Sequence, residues 1–439
     1  MTIISTNKWA PPFYLLTAYL LVVLLRPHEY ELSPLIDVPV LPVLMLAGFV
    51  AWFLYGRRDF EAPQYYLAPL LLAVMCISMI ASDWAGGAVL VFRNNLPSIG
   101  LFFLIACTAD SAPRTRLLLK IIVLAATVMA WHGILQVESG TGWSGAELLA
   151  GRITYVGIFN DPNDLGMLFI ASLPVLIFLY NDARFILWRL ILVASFVSII
   201  YAIYLTNSRG TVIGLAATAG VYFWSRFGLL RTAVLGAVLG PLAFILAPSR
   251  FRDMAEAGTL DDSALFRFEA WYEGFNMARL EPFFGVGVDR FSEHFFMTAH
   301  NSFVVALAEL GFIGAFVWTA FLGLSLYMMY RFQRAEVPDD ILENPGEIAA
   351  YLNQQKIARA LMFSLVAFCS AGLFLSRSYD LTLFIWCGLA VAHYQNCRRR
   401  WPETTEVIGL KGNITKVIAF WIFTLVISYL GMKVGLSLA

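Results

Sequence analysis

Long apolar runs follow one another along almost the whole of this 439-residue chain, where 59% of residues are hydrophobic and 14% charged. A soluble domain cannot hide that much apolar surface, so the surrounding medium is read as lipid. Lipid offers no partner to a backbone N–H or C=O, which leaves only helices or a closed barrel as spanning structures. The alternation of barrel strands is missing. An all-α, polytopic transmembrane bundle is therefore expected, with candidate spans at residues 12–25, 38–55, 65–81, 96–108, 117–137, 165–180, 185–205, 211–224, 232–247, 302–330, 358–376, 381–392 and 417–436.

The formal net charge is zero, so nothing draws the chain to nucleic acid, and the distribution of charge is the informative quantity. With the N-terminus in the cytoplasm, Lys8, Arg57, Arg58, Arg114, Arg116, Lys120, Arg184, Arg189, Arg226, Arg231, Arg331, Arg334, Lys356, Arg359 and the cluster from Arg398 to Lys416 all fall inside. The opposite short loops receive Glu29, Glu31, Asp37, Asp83, Glu138, Glu147 and Asp161. The polar stretch 248–299 is then external, periplasmic in a Gram-negative cell. None of the five cysteines lies in an external loop, which argues against disulfides and a cysteine zinc site. The start lacks a small-residue cleavage pattern, so the first helix reads as retained. No internal repeat is visible, which disfavours a carrier built from two related halves.

Three regions follow: N-terminal helices (1–156), a central core holding the external loop (157–330), and an inner loop with the C-terminal helices (331–439). The inner stretch 331–356 reads as solvated linker plus a short helix. Gly210/Gly214 and Gly236/Gly240 permit close helix approach. Within the external loop, residues 264–280 mix large apolar groups with spaced charges behind the capping oxygens of Asp261, Asp262 and Ser263, as in a helix lying on the membrane surface. Residues 282–289 form a turn whose two glycines allow unusual backbone conformations.

Polar chemistry in such a chain needs a reason. His300 precedes an apolar helix whose positive end disfavours the imidazolium, so the ring is available as a base; the plain alternative is an interfacial histidine marking the helix end. Asn301 and Ser302 can cap that helix. Glu309, two turns inside, must be paired or protonated. Arg209, Arg267 and Arg377 run against the orientation rule, and a guanidinium can grip phosphate oxygens with two parallel bonds. Snorkelling to head groups, or for Arg267 a salt bridge to Glu269 or Glu273, is the alternative. Asn160, Asp161, Asn163 and Asp164 start a helix, with Asn163 or Asp164 favoured as its cap over a cation site. A Ser-His-Asp triad, a zinc ligand set and a P-loop are absent.

Taken in order, Phe159-Asn160-Asp161-Pro162-Asn163, Ser208-Arg209-Gly210, Arg267 to Trp271 with Pro282 and Gly285-Val286-Gly287, and His300-Asn301 with Glu309, Gly311 and Gly314 resemble the signature of the O-antigen ligase and polymerase superfamily. The resemblance implies a cofactor-free, metal-independent glycosyltransferase in the bacterial inner membrane, its site facing the periplasm. It would take a glycan from an undecaprenyl-diphosphate donor and move it to the hydroxyl of a glycan or lipid A core acceptor. Arg209 and Arg267 would bind the diphosphate and His300 would assist the acceptor hydroxyl, with Arg377, Asn301, Glu309 and Trp271 as further substrate-binding residues. A polymerase of lipid-linked repeat units is the alternative within the family, and a flippase of lipid-linked saccharides the alternative outside it. The family frame has twelve spans, whereas thirteen are counted here.

Overall fold

A computed structural model of the chain describes residues 10–245, 262–402 and 408–437; Asp261 and most of the first part of the external loop lie outside the described residues. The protein is a polytopic helical bundle, and each of the thirteen apolar runs forms a helix. They are α1 (Pro11–Leu25), α2 (Val40–Tyr55), α3 (Gln64–Ala81), α4 (Ala85–Thr108), α5 (Ala112–Ser139), α6 (Pro162–Asp182), α7 (Ile186–Leu205), α8 (Arg209–Phe227) and α9 (Leu229–Ile245), followed after the loop helix α10 (Asp262–Leu280) by α11 (Ser302–Gln333), α12 (Pro345–Gly372), α13 (Leu381–Arg400) and α14 (Leu410–Ser437).

Seven of them, α3 to α7, α11 and α14, are long and apolar enough to cross a membrane on those grounds alone. The others are shorter or more polar, and α13 shows why polarity is tolerated. It packs on α4, α11 and α12 in the middle of the bundle, so His393 and Gln395 are buried in protein.

Several boundaries differ from expectation. α4 starts at Ala85 because the helix runs straight through the polar triplet Arg93-Asn94-Asn95. α12 starts at Pro345, capped by the Asn344 side chain, so much of the expected linker is helix. The cap of α6 is Asp161, one position ahead of a proline whose fixed φ suits the first helical residue; neither Asn163 nor Asp164 fills that role. Gly210 and Gly214 do face neighbours, where added Cβ atoms would sit 2.8 Å from Phe374 and 3.0 Å from Ile170. Gly236 and Gly240 meet nothing within 4 Å.

One end of the bundle collects the basic loops. There Arg114 and Arg57 reach Asp110 at 2.7 and 3.5 Å, Arg398 reaches Glu61 at 2.8 Å and Arg400 reaches Glu347 at 2.8 Å. Arg114–Asp110 is buried, whereas the more exposed pairs contribute little each; together they show which loops share an end.

The opposite end is organised by a break in α11. Gly311 has φ +63° and ψ −170°, outside helical space and in the region glycine reaches without a Cβ clash. Phe303 and Trp318 would be ~22 Å apart along an unbroken helix at ~1.5 Å per residue. Their ring centroids lie 5.2 Å apart, so residues 302–310 fold back on the segment that follows. Backbone groups on both sides of the break find partners in residues 282–287. Val286 N–H donates to Ala308 O (3.0 Å), Gly287 N–H to Glu309 O (3.2 Å), and Phe312 N–H to Pro282 O (2.7 Å). The Ser78 hydroxyl adds a 2.5 Å bond to Glu309 O. A broken helix at membrane depth is tolerable only with such replacement.

α10 does not turn its aromatic side to lipid alone. Phe268 and Trp271 sit against Gly435 and Gly431 of α14, and Phe275 meets Tyr429, because the two glycines leave a furrow where rings fit. Phe266 and Tyr272 stay exposed. The thirteenth span, α14, thus braces α10 and the start of α11, where Asn301 donates to the Ser428 hydroxyl at 3.1 Å.

A Cβ on Gly311 would lie 2.5 Å from the Phe283 carbonyl carbon, in addition to its backbone strain. Gly311→Ala is expected to lower stability by about 1–3 kcal/mol, whereas Gly236→Ala should leave it unchanged; thermal unfolding of the purified variants in detergent measures both.

Candidate active site

Helix starts build this site. Asp161, Asn301 and Asp380 cap α6, α11 and α13 by accepting backbone N–H groups at 2.7 to 3.2 Å, and the Ser208 hydroxyl caps α8. The starts of α6, α11 and α13 border one cavity of about 470 Å³, and Ser208 ties the start of α8 to it by donating to Asn163 Oδ1 at 2.6 Å. Gly166 makes the approach of α6 and α8 possible, since an added Cβ would fall 2.1 Å from the Thr211 hydroxyl. Helix N-termini carry partial positive charge, so their convergence favours an anion.

His300 borders the cavity in a left-handed conformation, φ +46°, which an ordinary residue adopts only when its surroundings enforce it. Three anchors do so. Trp271 Nε1 donates to Ala299 O at 2.7 Å, Thr298 bonds Ser376 at 2.8 Å, and the Ser302 hydroxyl donates to Leu375 O at 2.5 Å while accepting Arg377 N–H at 2.9 Å. Burial, followed by the nearby charge of Arg267, pushes the His300 pKa down to about 4, with Asp161 opposing and Arg377 adding to the fall. The ring is therefore neutral at physiological pH and able to accept a proton.

Opposite it, Arg377 grips the buried Asp164 through Nε and Nη2, one bond to each carboxylate oxygen. This bidentate pair fixes the plane of the guanidinium and leaves Nη1 uncommitted to Asp164. Deeper in the same cavity are Glu309, Tyr379 and Asp289. Glu309 is 3% exposed, and the Tyr379 hydroxyl lies close enough to its carboxylate to act on it. Burial also raises Asp289, and raises Tyr379 strongly, with the charges of Glu309 and Asp289 adding to the latter.

Of the residues singled out in the sequence, His300, Glu309 and Arg377 line this cavity. Arg267, half-buried on α10, lies close enough for its charge to act on the imidazole. Arg209 is the first residue of α8, next to Ser208. Asn301 and Trp271 stand behind the cavity as fully and almost fully buried supports of the His300 segment. Asp164, Asp289, Tyr379, Asn94 and Asn95 were missed. Asp164 was legible as a turn and capping residue, weighed above a cation ligand, and the other four share this cavity only because α4, residues 281–299 and the α12–α13 connection meet in three dimensions. The ionisable residues that line this cavity gather at one end of the bundle, away from the basic loops.

Residues 194–319 match the family model described as O-antigen ligase. That segment carries Arg209, Arg267, Trp271, His300, Asn301 and Glu309, while Arg377 lies beyond it. No curated protein matches the chain.

A histidine whose folded pKa is depressed binds fewer protons than its unfolded counterpart, so stability rises with pH between about 4 and 6.5. Thermal melting followed from pH 7 down to 4.5 should fall less steeply for His300→Gln than for the parent; identical slopes would mean that the imidazole is not held neutral by the fold.

Proposed function

We propose that this multi-pass membrane protein, whose residues 194–319 match the O-antigen ligase family model, transfers an oligo- or polysaccharide from undecaprenyl diphosphate to an acceptor hydroxyl at the periplasmic face. The observation that carries the reading is the meeting of a neutral imidazole, a carboxylate-fixed guanidinium and several helix N-termini around one cavity.

The donor is already activated, so the protein has to supply placement, charge stabilisation and a base. The acceptor oxygen attacks the anomeric carbon while its proton passes to His300. The bond from that carbon to the diphosphate breaks, and its electron pair leaves with the phosphate oxygen. Negative charge building there is met by Arg377, by Arg209 and Arg267 from the neighbouring helices, and by the helix N-termini. Asp164 acts on Arg377 as a positioning residue. Asn94, Asn95 and Asp161 offer the short polar side chains that suit a hydroxyl-rich glycan. Trp271 and Asn301 hold the His300 turn in place. These positive groups make the proposed transfer independent of a metal ion.

Purified protein reconstituted with a lipid-linked oligosaccharide and, separately, a lipid A core or a second lipid-linked glycan tests the reading: the acceptor that gains mass distinguishes ligase from polymerase. His300→Ala, Arg377→Ala and Arg209→Ala are each expected to cut transfer at least a hundredfold, ~3 kcal/mol for a lost charged donor, with folding intact. Full activity in all three would remove this cavity from the mechanism. EDTA should leave the rate unchanged, and a chelator-sensitive rate would overturn the metal-free form of the proposal.

A further inference from the structure

We propose that a second cavity, about 670 Å³ between α6, α7, α8 and α12, holds one acyl chain of an anionic phospholipid, its phosphate resting on Lys356 and Arg359. The walls are apolar, formed by residues such as Ile170, Leu173, Ile200, Leu215 and Phe223. Pro174, inside α6, also lines it; a proline there removes one helix hydrogen bond and bends the wall.

Polarity appears at one end only, where Asn181, Lys356 and Arg359 form the mouth. The Arg359 guanidinium is set over Tyr222 and Phe363, 5.5 and 6.0 Å from the ring centroids, which holds it at the rim. Among the described residues no salt bridge involves Lys356 or Arg359, and Asp182, beside Asn181, faces Arg116 at 3.8 Å. An apolar slot ending in two such cations complements a lipid with an anionic head group.

The donor lipid is not the occupant this arrangement suits. Asp164 in the first cavity and Asn181 at this mouth are seventeen residues apart on α6, ~26 Å at ~1.5 Å per residue, so the two phosphate positions lie at opposite ends of the bundle. The outer ends of α6 and α8 and the connection after α12 bear Asp164, Arg209 and Arg377, so a lipid wedged between their inner halves also braces the helices that carry the first cavity.

Native mass spectrometry of the full-length protein, titrated with phosphatidylglycerol or with phosphatidylcholine, tests this. One phosphatidylglycerol per chain should bind saturably and in preference to phosphatidylcholine. Each cation near an anionic head group favours it about fivefold, so Lys356→Gln with Arg359→Gln should weaken binding on the order of twentyfold. Ala219→Trp, which fills the slot without touching the cations, should abolish it while the melting temperature stays within a few degrees of the parent. Equal binding of both lipids, unchanged phosphatidylglycerol binding in either variant, or its displacement by undecaprenyl phosphate at equal concentration would overturn the proposal. None of these readings depends on glycosyl transfer, so the outcome is separable from that of the proposed activity.

Discussion

The backbone hydrogen bonds exchanged across the break at Gly311 are what the cavity end of the bundle depends on. An unbroken α11 would carry His300 ~16 Å beyond Gly311 along the helix axis, at ~1.5 Å per residue. The fold-back instead returns the segment after His300, setting Phe303 beside Trp318 and bonding Ser302 to the connection after α12. The break is tolerated because residues 282–287 supply N–H groups to the Ala308 and Glu309 carbonyls and a carbonyl to the Phe312 N–H. Gly285 belongs to the same device: its φ is +70°, and a side chain there would strike Ala308 O at 2.4 Å.

Around that turn the electrostatics are arranged in pairs of opposing influences. Helix N-termini and Arg377 favour anions at the cavity, whereas Asp161, Asp164, Asp289, Asp380 and Glu309 line it. The conflict is eased by local bonding. Asp164 is neutralised by Arg377, Asp161 and Asp380 accept from the first turns of their helices, and burial shifts Asp289 toward its protonated form. Glu309 and the Tyr379 hydroxyl face each other at the buried part of the cavity. A sugar, rich in groups that both donate and accept, is chemically suited to such partners.

The support for this face comes largely from elements whose own sequences look ordinary. α14 packs α10 through Gly431 and Gly435 and holds Asn301 through Ser428. Ser302, a small polar residue in an apolar segment, bonds Leu375 O and Arg377 N–H, and its carbonyl accepts the Ser378 hydroxyl at 2.7 Å. These bonds set the spacing between the imidazole and the guanidinium more directly than any feature of the two residues themselves.

Read alone, the sequence determined that the chain is an all-helical membrane bundle, because lipid admits no other way to satisfy so many backbone groups in apolar runs. It also determined which loops gather basic charge, and that His300, Glu309 and the outward arginines stand apart from a lipid-facing pattern, since an ionisable group in that setting is costly without a purpose. Only the tertiary structure decided that α11 is broken, that Arg377 belongs with Asp164 across 213 residues of sequence, and that Asn94, Asp289 and Tyr379 share a cavity with His300. The reason is physical: hydropathy is a local, one-dimensional signal, whereas a hydrogen bond that replaces a helical one, or a carboxylate that fixes a distant guanidinium, exists only once separate helices have packed.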